Sequence, residues 1–226
     1  MKSTMLVLLG ILLLCAFPAT VAAQTVAVQP NSAAAMVIGF TGGSTWTSQS
    51  SGICIWYFPV LGDLDLKTLF ATDNAGNPVV DKEHAYLIWV SDWSIQAMFG
   101  NPGFPNQGIT NTPLSLAVVP AGTATIYYSN NPLSRDWSNL ANRHTWGVPV
   151  ATFVRGAGLF QTDNNWTSDK FYFTAPLTSS KSFSFANGRR FNFKDLVPIG
   201  MTCFEYGAAA SSSEAGSCMA IGVGGH

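Results

Sequence analysis

The chain is short of charge. It carries 11 Lys and Arg against 12 Asp and Glu in 226 residues, and charged side chains make up 10% of it, where about 25% is usual. The near balance of signs excludes the basic footprint that nucleic acid or an anionic membrane surface would require. Its surface must therefore be covered by Ser, Thr, Asn, Gln and Gly. Histidine is scarcer still: His84, His144 and His226 stand at no ligand spacing. There is no His-Glu-x-x-His, no Gly-x-Ser-x-Gly elbow and no phosphate loop, so neither a metal nor a cofactor is expected. Asp63 and Asp65 lack the regularly spaced oxygen partners of a calcium loop, and are read as structural.

A long hydrophobic run is missing too. The longest apolar stretch, Met5 to Pro18, falls short of the about 20 residues a spanning helix needs. Lys2 ahead of it, Leu6 to Leu14 within it, and Val21 and Ala23 behind it match a secretory signal cut before Gln24. Residues 1–23 are thus read as a signal peptide, and the protein as secreted or periplasmic. About 200 residues follow, a length at which sandwiches and barrels commonly form one unit.

With Cys15 in the leader, Cys54, Cys203 and Cys218 remain, an odd number for an oxidising compartment. The preferred disulfide is Cys203–Cys218, because the intervening Gly, Ala and Ser let the chain double back. Cys54 with either partner is the alternative. Within Ile53-Cys54-Ile55-Trp56-Tyr57-Phe58, a free Cys54 would behave as a small buried hydrophobe.

Short apolar runs separated by Gly, Pro, Asn and Ser recur along the whole chain, without internal repeat. That pattern predicts an all-β protein, an antiparallel β-sandwich of jelly-roll or immunoglobulin-like kind with one or two short helices. Residues 24–206 form the sandwich. Residues 207–226 supply a Gly/Ala/Ser-rich loop and a C-terminal strand packed on the same domain. Expected strands are Thr25–Gln29, Ala35–Phe40, Ile53–Phe58, Tyr86–Val90, Ile95–Phe99, Leu114–Val119, Ala124–Ser129, Val150–Arg155, Phe171–Ala175, Ser182–Phe185, Arg190–Lys194, Met201–Tyr206 and Cys218–Val223. Gly207 to Gly216 reads as a flexible surface loop.

Parity decides one hairpin. Phe183, Phe185, Phe191 and Phe193 alternate with polar residues, and only a three-residue loop, Ala186-Asn187-Gly188, sets Phe183 opposite Phe191. Gly188 then takes the left-handed position. A helix is expected after Ser134, with Trp137, Leu140, Ala141 and His144 on one face. A weaker one is expected over Leu64–Phe70.

Two sets of residues carry candidate function. Glu83, His84 and Asp92 flank a predicted strand, and carboxylates beside an imidazole would form a general acid/base site if they converged. The second set is drawn from 7 tryptophans: Trp46, Trp137 and Trp166 lie among polar residues, where an open indole face could stack on a glycan or anchor a protein partner. Asn165-Trp166-Thr167 also matches a glycosylation acceptor. The leading expectation is an exported, non-enzymatic binding or surface-associated structural module, with a glycan or a protein as partner. The alternative is an exported hydrolase of a carbohydrate or other polar polymer. An outer-membrane barrel ranks third, because the runs are short and interrupted by Pro.

Overall fold

The computed structural model describes residues 36–48, 50–99, 114–138, 140–163, 169–208 and 213–221. Its elements are β1 (Met36–Trp46), β2 (Ser51–Leu61), α1 (Leu66–Leu69), β3 (Leu87–Ser94), β4 (Ala97–Phe99), β5 (Leu114–Val119), β6 (Gly122–Tyr128) and β7 (Val148–Arg155). After these come β8 (Gly158–Asp163), β9 (Asp169–Ser180), β10 (Phe183–Ser184), β11 (Arg190–Phe191), α2 (Phe193–Leu196), β12 (Gly200–Ala208) and β13 (Ser213–Ala220).

The expected antiparallel all-β class is present, but the sheet does not divide into two packed layers. It runs β1-β2-β3-β6-β7-β9-β12-β13, and β13 pairs back onto β1. These eight strands close a barrel. Short strands at the far end extend it: β4 pairs with β5, β5 with β8, and β8 with β9. Each is the continuation of a barrel strand beyond a break, at Ile95-Gln96, Pro120-Ala121 and Gly156-Ala157. Pro120 has no N–H for the ladder, which accounts for the second break. Counted this way, every strand is followed in space by its successor in sequence, the up-and-down arrangement. The sandwich expectation fails because strand alternation reports which residues are inside and not whether a sheet closes.

Alternation sets the core. On β9, Phe171, Phe173 and Ala175 are buried while Lys170, Tyr172 and Thr174 are exposed; on β12, Met201, Cys203 and Glu205 alternate likewise with Thr202, Phe204 and Tyr206. Trp56 stands at the centre, its ring 4.4 Å from Phe40 and 6.0 Å from both Trp89 and Phe173. Trp89 in turn meets Phe153 at 5.2 Å. Each such side chain contributes about 1.5–3 kcal/mol by leaving water. Cys203 and Cys218 face each other across β12 and β13 and form the disulfide, with Cα atoms 4.1 Å apart.

One end of the barrel is plugged by the chain between β9 and β12. The β10–β11 hairpin pairs Phe183 with Phe191, and Gly188 has φ of 82°, so the three-residue loop is as expected. Phe183 and Phe185 lie 4.7 and 5.7 Å from the Tyr128 ring. Phe193 is not in a strand. Asn192 caps α2 by accepting from the Lys194 amide, and this turns Phe193 inward against Phe58 and Phe153, both at 6.4 Å.

Three further expectations are corrected. Among its described residues the 134–144 stretch forms no α-helix; two 3-10 turns, Pro132–Ser134 and Arg143–Trp146, lie at its ends, and His144 is exposed. Tertiary bonds override the helical pattern: Arg135, buried, donates to the carbonyls of Trp146 and Tyr86 at 2.9 and 3.1 Å. Residues 207–216 are largely strand, since β12 continues to Ala208 and β13 begins at Ser213. Thr25–Gln29 lies outside the described residues, and the C-terminal strand ends at Ala220. The weaker helix is present as α1, with Asp65 as its cap.

Candidate functional site

Inward positions turn polar at the end of the barrel opposite the plug, where β1 and β12 finish and β2, β9 and β13 begin. Ser44, Cys54, Ser91, Arg155, Asp169, Glu205 and Glu214 come there from seven different strands. They surround a cavity of about 80 Å³, partly open to solvent and walled by Trp56, Trp93, Phe160 and Phe171. That is room for several heavy atoms rather than for one ordered water.

Two glutamates dominate the site. Glu205 is 4% and Glu214 7% exposed, and the antiparallel register brings them to one face, since Glu205 pairs with Gly216 and Gly207 with Glu214. Burial, reinforced by the neighbouring Glu214 and Asp169 charges, holds the Glu205 carboxyl well above the usual range. Glu214 is also pushed up by burial, but it is opposed by hydrogen bonds from Ser44 and Trp56. The Trp56 indole N–H donates to Glu214 Oε2 at 2.5 Å. Burial thus disfavours the charged form of both carboxyls, and more strongly that of Glu205. Cys54 Sγ lies 3.0 Å from Ser44 Oγ, completing a chain from thiol to hydroxyl to carboxylate. Burial pushes the Cys54 thiol far up, so it is no thiolate nucleophile at neutral pH.

Arg155 is the counter-charge. It is 2% exposed, its guanidinium 5.7 Å from the Phe171 ring, with Nη2 donating to the Pro120 carbonyl at 3.0 Å and Nε to Ser91 Oγ at 3.4 Å. Nη1 has no partner. Asp169 Oδ1, which also lines the cavity, has none either, and burial raises that carboxyl. Such unspent donors and acceptors are rare inside a folded chain and call for an explanation. Glycine makes the close approach: a Cβ on Gly207 would lie 1.9 Å from Asp169 Oδ1. Among the described residues no three His, Cys, Asp or Glu side chains are arranged to hold a metal ion.

The residues singled out from sequence are placed elsewhere. Glu83 is exposed beside Lys82 at 3.5 Å, and His84 Nδ1 meets Asp81 Oδ1 at 2.7 Å in the loop before β3. Asp92 lies on the outer face of β3, where Arg143 Nη1 donates to it at 3.0 Å. Eight residues of largely extended chain separate His84 from Asp92, roughly 20–25 Å, so the proposed trio does not converge. Trp137 packs on the buried Trp146 at 5.3 Å, with Lys82 Nζ 4.9 Å above its ring. Trp46 ends β1 opposite Gly52, and its side chain lies outside the described residues, as does all of Trp166.

Sequence reading passed over Arg155, Asp169, Glu205 and Glu214. A signal existed for Glu205, which shares parity with Met201 and Cys203 in a predicted strand. Glu214 was hidden in a small-residue segment read as loop. No family model matches the chain, and no curated protein or solved structure matches it either.

Proposed function

We propose that this is an exported binding protein that takes a small polar molecule into the cavity of its barrel. One observation carries the reading: Arg155, buried and held on two sides, keeps Nη1 unused beside a cavity that the unpaired Asp169 carboxyl also lines. An eight-stranded barrel is just wide enough to be filled by side chains or to hold one small ligand, and here the filling stops short at one end. The leader-like N-terminus supports export. A membrane-spanning role is disfavoured by the faces of the sheet, because a membrane barrel turns its apolar side outward and this one packs Trp56, Trp89 and Phe153 within.

The hydrolase alternative would have to move to Glu205 and Glu214. A retaining glycosidase holds its carboxyl groups about 5 Å apart with the scissile bond between them. Hydrogen-bonded carboxyl oxygens sit at about 2.6 Å, leaving no such gap. Binding is therefore preferred over glycoside cleavage.

The test is a screen of small polar compounds by protein-observed NMR, repeated on Ser44→Phe, which fills the cavity. Compounds that shift cavity resonances in the parent and not in the variant support the proposal. A screen without any such compound overturns it in favour of a structural role.

A further inference from the structure

From the chemistry of the cavity wall we infer that the occupant is a small ammonium compound bearing a neutral oxygen acceptor, such as an amino alcohol; this rests on the cavity-binding reading above. Three carboxyl groups, from Asp169, Glu205 and Glu214, face one guanidinium, that of Arg155. Carboxyl groups thus outnumber cationic side chains in the wall, and a cation is the occupant that complements such a lining. An ammonium group brings three donors, and Asp169 Oδ1 stands without one. Trp56, Trp93 and Phe171 line the same space, and Phe171 already accepts one cation, the Arg155 guanidinium, over its ring.

A bare cation would leave Arg155 unanswered. Its Nη1 is a buried donor with no acceptor, and a guanidinium repels an ammonium unless an oxygen lies between them. The ligand therefore carries a hydroxyl, ether or amide oxygen on the Arg155 side and its nitrogen on the carboxylate side. A carboxylate in place of the neutral oxygen would add to the excess of carboxyl groups within the filled site. An anion without an ammonium group would meet three carboxyl groups at once.

Four probes of matched size separate these features: ethanolamine has both groups, ethylamine only the ammonium, ethylene glycol only oxygen, and acetate only negative charge. NMR titration of the full exported chain should give ethanolamine the tightest binding, at least tenfold over ethylene glycol and acetate, with ethylamine between. Arg155→Met should erase the advantage of ethanolamine over ethylamine. Glu214→Gln should erase the advantage of both amines over ethylene glycol. Should either variant fail to fold, Asp169→Asn in the same cavity wall reads the same loss of amine preference. Acetate or ethylene glycol binding best, or all four binding alike, overturns the inference while leaving a small-molecule cavity standing. Silence from all four, with hits of another class in the wider screen, also overturns it. Silence in both experiments removes the binding reading as well.

Discussion

Replacing Glu205 by Gln should make the protein more stable at pH 8 and flatten its dependence on pH. Glu205 is 4% exposed, and its carboxyl is held well above the ordinary value of 4.5 by burial and by the charges of Glu214 and Asp169. As pH rises past about 4.5, the unfolded chain gives up this proton while the folded chain keeps it. Unfolding then releases a proton, so stability falls as pH increases. The contribution is complete below the unfolded value and is lost as pH passes through the raised one. Glu214 and Asp169, also raised, act in the same direction. Asp65, Asp73 and Asp136 are held low by local hydrogen bonds and oppose them only as pH falls through the acid range. The melting temperature of the parent should therefore peak on the mildly acidic side and decline toward pH 8. A Gln at this position has no proton to lose across the same range. Removing one poorly solvated ionisation from a buried pair is worth about 1–3 kcal/mol. At about 2–4 °C per kcal/mol for a chain of this size, a gain of about 2 kcal/mol raises the midpoint by about 4–8 °C. Thermal unfolding followed by circular dichroism from pH 4 to 9 reads both effects. A parent that grows more stable from pH 5 to 8, or a variant that melts lower at pH 8, would refute the raised ionisation of Glu205.

Four other outcomes follow from the packing. Phe193→Ala opens a hole in the plug and should cost about 3–5 kcal/mol in urea unfolding; a loss under about 1 kcal/mol would mean the plugged end is not sealed by this ring. Removing the Cys203–Cys218 bridge, whose sulfurs are separated by 15 positions, should cost about 3 kcal/mol, seen as a lower melting temperature in Cys203→Ala/Cys218→Ala, and an unchanged midpoint would contradict it. Trp137→Ala should reduce stability by about 1–3 kcal/mol, because the ring packs on Trp146 and its loss leaves a cavity; a neutral effect on melting would return Trp137 to the surface. Gly207→Ala forces a methyl to within 1.9 Å of Asp169 Oδ1, so it should cost about 1–3 kcal/mol and move the Asp169 carboxyl resonance, and a spectrum like the parent's would show the rim to be slack.

Strand positions were largely legible where buried apolar and exposed polar residues alternate, but β8 and the Ser-, Thr- and Gly-rich ends of β1, β9 and β13 were not, because small polar residues leave no apolar pattern. The register of the β10–β11 hairpin followed from parity alone. Closure was not legible, because the pairing of β1 with β13 is a relation between chain ends that no local pattern encodes. The helix expected after Ser134 shows the opposite failure: spacing of Trp137, Leu140 and Ala141 suggested a face, but Arg135 found carbonyl partners on distant residues. The site was missed for a related reason. An antiparallel pairing of Cys203 with Cys218 puts 205 opposite 216 and 207 opposite 214, so the disulfide, once accepted, already places both glutamates on the inward face. Reading 207–216 as a loop discarded that consequence.

The Thr41 hydroxyl donates to the Glu214 carbonyl across 173 residues of chain, and this seam between β1 and β13 governs how the molecule can come into being. Neighbouring strands elsewhere are joined by local connections, so a growing sheet can add them one after another. The seam alone must wait until the C-terminal strand has emerged, and contacts this distant in sequence slow folding. Until then β1 and β12 are two open edges, each able to pair with a second chain. A chain cut before Ser213 would keep both its edge and its cavity wall incomplete, since Glu214 arrives on the very strand that shuts the ring. Closing the ring therefore also completes the wall of the cavity.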